Sequence, residues 1–91
     1  MRVKVVLLQE LIKIAGGHTL ELELPEGATV RDLLRVLPES VRREIMDENG
    51  GLKYPVEVMV NGRRIDFLEG LDTPLKDGDT VHISPRALFV V

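Results

Sequence analysis

Hydrophobic positions change their period several times along the chain, and each change marks an element. Residues 3–8, Val-Lys-Val-Val-Leu-Leu, are apolar except for Lys4, the pattern of a central strand covered on most of both faces. Residues 9–15 place Leu11, Ile12, Ile14 and Ala15 before Gly16-Gly17, which predicts one or two helical turns closed by a glycine cap. Residues 18–24 alternate strictly, with Leu20, Leu22 and Leu24 on one face and Thr19, Glu21 and Glu23 on the other. Such alternation predicts a half-solvated strand.

Pro25, Glu26 and Gly27 end that strand, and Thr29 can cap a helix in which Asp32 completes an approximate capping box. Val30, Leu33, Leu34 and Leu37 then fall at i, i+3, i+4 and i+7, the stripe a helix needs to lie on a sheet. Pro38 breaks this helix and starts a second one running to about Asp47, with Val41 and Ile45 inward, before Asn49-Gly50-Gly51. Val56, Val58 and Val60 alternate with Glu57 and Met59, and Asn61-Gly62 gives a type I′ turn into a short strand at 63–65. Residues 66–79 read as a loop that lends Leu68, Leu71 and Leu75 to the core and ends in the tight turn Lys76-Asp77-Gly78-Asp79. Residues 80–84 form the last strand, with Val81 and Ile83 inward. The order strand, strand, helix, strand, short strand, strand closes most economically with the first and last strands parallel at the centre of a mixed sheet. The fold class is therefore α+β, a β-grasp in which the sheet packs on one main helix.

A chain of 91 residues has apolar surface for one core, so a single domain is expected, with 1–85 as its body and 86–91 as an apolar tail. The absence of cysteine excludes a disulfide framework, a thiolate zinc site and a cysteine nucleophile, and suits a reducing compartment. A net charge of −3 and 3% aromatic residues argue against a nucleic-acid surface, which needs a basic field and stacking rings. No secretory leader pattern and no apolar run of membrane-spanning length occur, and a cytoplasmic protein without a membrane partner is expected.

Candidate chemistry is sparse. His18 and His82 lie far apart in sequence without an organised carboxylate partner, whereas zinc needs three or four convergent ligands, so no metal is expected. Asp72, Asp77 and Asp79 cluster near Gly78 but lack the distal bidentate glutamate of a calcium loop and read as turn residues. Neither Ser40 nor Ser84 is paired in sequence with a base, and no glycine-rich phosphate loop appears. Neither an enzyme nor a cofactor is expected.

The outward face of the sheet carries more information. With Val3, Val5 and Leu7 turned to the helix, alternation sends Val6 and Leu8 the other way, where Met59 and His82 should lie on neighbouring strands. An apolar patch there marks a partner-binding surface, or one covered by a loop or by the tail. Leu88, Phe89 and Val90, followed by Val91, are apolar enough to extend the last strand, fold over that patch or pair with the sheet edge of another copy.

Taken together, Val3-Lys4-Val5-Val6-Leu7-Leu8 with Leu11 and Ala15-Gly16, then Val60-Asn61-Gly62-Arg63, then Pro74-Leu75-Lys76-Asp77-Gly78-Asp79 with Pro85, resemble the MoaD/ThiS family of ubiquitin-like sulfur carriers. That family includes the small subunit of molybdopterin synthase, and the resemblance spans nearly the whole chain. It implies a protein partner: an adenylating activating enzyme or a synthase large subunit docked on the face holding Val6, Leu8, Met59 and His82. The family's tail ends in Gly-Gly, which is adenylated and converted to a thiocarboxylate, whereas the sequence here runs Arg86-Ala87-Leu88-Phe89-Val90-Val91. Stiff β-branched residues stand where the family has thin, flexible ones. Two functions follow as expectations. One is a protein-binding module or non-catalytic subunit, degenerate in carrier chemistry, that joins a partner or self-associates. The other is an active carrier for molybdopterin, tungstopterin or thiamine-type biosynthesis, or a protein modifier, charged at the carboxylate of Val91.

Overall fold

The computed structural model of the protein describes residues 1–86. Five strands, β1 (Arg2–Leu7), β2 (Thr19–Glu23), β3 (Glu57–Val60), β4 (Arg63–Arg64) and β5 (Thr80–Ser84), form one sheet in the order β2-β1-β5-β3-β4. β1 and β5 run parallel at the centre, and the other ladders are antiparallel. The order follows from the sequence. The alternating β2 takes an edge. β1, expected to be covered on most of both faces, is covered on one, because the helices pack on one side of the sheet only. Val3, Val5 and Leu7 are buried, whereas Arg2 and Lys4 on its other face are exposed and Val6 is half-buried.

Three helices, α1 (Leu11–Ala15), α2 (Val30–Arg35) and α3 (Glu39–Ile45), accompany the sheet. Val3, Val5 and Leu7 of β1, Val58 and Val60 of β3, and Val81 and Ile83 of β5 share the core with Val30, Leu33 and Leu34 of α2 and Val41 and Ile45 of α3. This is the β-grasp arrangement, with the helix stripe and the inner sheet face burying each other. The Thr29 hydroxyl accepts from the Asp32 N–H while the Asp32 carboxylate accepts from the Thr29 N–H, a complete capping box that fixes the start of α2.

Several boundaries shift for local reasons. Leu8 falls just past β1, because Gln9 takes a positive φ of 54° that turns the chain into α1, although the Leu8 N–H still donates to the Ile83 carbonyl. Val56 precedes β3, its N–H spent on a turn to the Lys53 carbonyl. α2 stops at Arg35, yet Leu37 stays buried beyond it. Ile65 leaves β4 to begin a 3-10 turn, Ile65–Phe67. Of the leucines in 66–79, Leu75 is buried and Leu68 and Leu71 pack partly against the core.

Candidate functional site

Register across the ladders builds a row on the outer face of the sheet. Thr19 pairs with Val6, Val6 with His82, His82 with Met59 and Met59 with Arg64, one residue from each of the five strands. Since side chains alternate between faces and Val5, Val58, Val81 and Ile83 point into the core, this row points away from the helices. Val6, His82 and Met59 are half-buried at its centre, so three strands contribute a strip of two apolar side chains with a histidine between them. Three of the residues expected in a partner face are thus brought into one line. Leu8, also half-buried, follows Val6 by two positions, just past the end of β1. Leu88, Phe89, Val90 and Val91 lie outside the described residues.

The strip has charged surroundings on both sides. Towards the start of β1 the next row holds Glu21, Lys4 and Thr80. Towards its end lie Glu57 and Ser84, which pair with each other. Ser84 is fully buried and donates its hydroxyl to the Arg86 carbonyl. Arg86 in turn reaches both carboxylate oxygens of Glu10 from one nitrogen, tying the chain after β5 to the connection before α1. The Arg86 hydrogen bond holds the exposed Glu10 carboxyl below the usual carboxylate range. Within the strip, the His82 Nδ1 is buried without a hydrogen-bond partner among the described residues.

At the β4 end the row continues into an aromatic corner that the alternation pattern missed. The Arg64 guanidinium lies 5.5 Å from the ring centroid of Phe67, donates to the Asp66 carboxylate at 2.9 Å and sits 3.5 Å from the Glu57 carboxylate. Phe67 is 77% exposed, held under the arginine rather than in the core. Met59, Gly62, Arg63, Arg64 and Phe67 line an open depression of about 370 Å³ here. A rare aromatic in an aperiodic stretch was the signal available in the sequence, since a loop phenylalanine with no core stripe to join needs another use.

Elsewhere the titratable groups serve the fold. The Thr19 Oγ1 and the His18 Nδ1 lie 2.8 Å apart. Asp77 accepts from the Arg2 N–H, Asp79 from the Lys76 N–H and the Asn61 side chain, and Asp72 from Arg31. These contacts pin the turn before β5 and the start of α2. Among the described residues no group of three or more histidines and carboxylates is placed to hold a metal, and no helix is long and apolar enough to cross a membrane.

Comparison with known proteins agrees with the fold. A model of the ThiS family matches residues 5–85. Small archaeal modifier protein 3 of Haloferax volcanii is 33% identical over 76 residues, covering 80% of this chain and 82% of the relative. The solution structure of small archaeal modifier protein 1 from Methanosarcina acetivorans superposes with a TM-score of 0.80 at 33% identity, over 98% of this chain and 96% of that one. A chain in the crystal structure of the Amycolatopsis orientalis BexX/CysO complex superposes with a TM-score of 0.76 at 27% identity, over 97% of this chain and 99% of that one.

Proposed function

This chain belongs to the ThiS family of ubiquitin-like carriers and modifiers, and on that premise we propose that it works as a protein-binding module that docks through the outer face of its sheet. The observation that carries the reading is the strip of Val6, His82 and Met59, contributed by three strands and left on the face opposite the helices. An apolar centre with Arg64 and Phe67 at its margin has the make-up of a protein-contact surface, where aromatic and arginine side chains supply much of the binding energy. The partner expected from the family is an adenylating activating enzyme or a synthase large subunit; a second copy of this chain is the other occupant. The relative in the BexX/CysO structure belongs to a complex between proteins, which supports a role exercised by docking.

In this reading the chain supplies a surface and no chemistry of its own, as a non-catalytic subunit degenerate in carrier chemistry. The test is to replace Met59 with glutamate. Loss of the co-purifying partner from a folded variant is expected, and full retention would remove the reading. A second reading, an active sulfur carrier or modifier charged at the C-terminal carboxylate, is favoured by the 33% identity to a small archaeal modifier protein. Intact mass of the protein from its native cells separates the two. Sulfur in place of a terminal oxygen, or covalent attachment to another protein, would establish the carrier.

A further inference from the structure

The opposite edge of the sheet offers a second surface. Met1 and Leu24 exchange both backbone hydrogen bonds, at 2.7 and 2.8 Å, and the Leu7 N–H donates to the His18 carbonyl. In an antiparallel ladder, hydrogen-bonded and non-hydrogen-bonded pairs alternate, so Arg2–Glu23, Lys4–Glu21 and Val6–Thr19 are the non-bonded pairs. The β1 members of those pairs turn their backbone groups to β5: Lys4 donates to the Asp79 carbonyl, and the Arg2 carbonyl accepts from Gly78. The β2 members, Thr19, Glu21 and Glu23, turn theirs outward. Their N–H and C=O groups have no backbone partner among the described residues.

This edge is a regular strand of five residues without proline, lysine or a bulge, and its guard against indiscriminate pairing is the charge of Glu21 and Glu23. Its side chains set what it can accept. Leu20 and Leu22 lie half-buried on the core side, and Glu21 and Glu23 stand exposed on the outer side. Arg2 lies 3.6 Å from the Glu21 carboxylate and 3.0 Å from that of Glu23, and the N-terminal ammonium lies 3.7 Å from Glu23, yet the two glutamate side chains stay 59% and 66% exposed and open to a further cation. A full two-fold pairing of β2 with a second copy would set Glu21 against Glu21, and like charges directly opposite are destabilising.

We propose that the β2 edge docks an extended segment of another protein by strand addition, the segment presenting basic side chains to Glu21 and Glu23 and apolar ones beside Leu20 and Leu22. Backbone pairing with Thr19, Glu21 and Glu23 supplies affinity, and the two carboxylates select for lysine or arginine at alternate positions. This surface adjoins the outer-face row at Thr19 and Glu21 but differs from it in kind, since it uses the outward backbone groups of the β2 edge.

The probe is a capped six-residue peptide alternating lysine and valine, titrated into the isotope-labelled full chain and followed by amide NMR. Shifts concentrated at Thr19, Glu21 and Glu23, with slowed exchange of those three amides, are expected. Glu21→Lys should weaken binding about tenfold, since it turns an attractive cross-strand pair into a repulsive one. Thr19→Pro keeps both carboxylates and removes an outward N–H at the first position of an edge strand, where proline is tolerated, and it too should weaken binding. Binding unchanged in Thr19→Pro would overturn strand addition. Equal binding of a glutamate–valine peptide, shifts confined to other strands, no shifts at all, or a concentration-dependent dimer as the only occupant of the edge would overturn the proposal.

Discussion

His82 lies directly opposite Met59 in the antiparallel β3–β5 ladder and directly beside Val6 in the parallel β1–β5 ladder. Three strands distant in sequence therefore place their outward side chains in one line, and the line ends at Arg64 and Phe67. The relationship is a product of register, which is fixed because a slip by one residue would send Val5, Val81 and Val58 out of the core. The same burial that stabilises the fold holds the outer strip in place.

The aromatic corner separates docking from stability. Phe67 is mostly exposed, so Phe67→Ala should change folding stability by no more than about 0.5 kcal/mol. Partner affinity should fall by about 2 kcal/mol, roughly thirtyfold, if the ring is an anchor of the interface. Thermal unfolding and calorimetric titration with the co-purified partner measure the two effects, and a stability loss without an affinity loss would return Phe67 to a structural role.

The core responds in the opposite way. Leu34 is fully buried in α2 against the inner sheet face. Leu34→Ala should cost about 2–5 kcal/mol, the range for deleting a buried leucine side chain. Urea unfolding should show a lower midpoint with an unchanged slope.

The start of α2 gives a pH signature. The Thr29 backbone N–H, followed by the Thr29 hydroxyl, holds the Asp32 carboxyl below its ordinary value. A carboxyl depressed in the folded state adds stability that is present above its unfolded value, about 3.9, and is lost as pH falls through the folded value. Thr29→Ala should cost about 1 kcal/mol at neutral pH. The stability gap between wild type and Asp32→Asn should be full at neutral pH and close below pH about 3.9, as the wild-type carboxyl takes up its proton. A gap independent of pH would show that the charge of Asp32 contributes nothing.

The sheet was legible in the sequence wherever the period was clean. Strict alternation in 18–24, the apolar run at 3–8 and the valines at 56, 58 and 60 predict the strands and their faces, and hence the meeting of Val6, Met59 and His82. Alternation fails where the chain turns. Gln9 in a left-handed conformation ends β1 before Leu8, and the turn bonded from Val56 to Lys53 delays β3. Arg64 and Phe67 escaped because they meet through a 3-10 turn, in which residues three apart come together without leaving a core-facing stripe. The open edge of β2 could be expected from the fold, but which of its residues face outward depends on the bonded pairs of the β1–β2 ladder.

The most direct test of the docking strip is native mass spectrometry of affinity-purified wild-type protein and its Met59→Glu variant from the native cells, with circular dichroism as the check on folding. Met59 is half-buried and lies on the face opposite the core, so a glutamate there should leave the sheet intact. The account predicts a stoichiometric complex for the wild type and a folded, unaccompanied chain for the variant. A folded variant that keeps the partner at the same stoichiometry would contradict it.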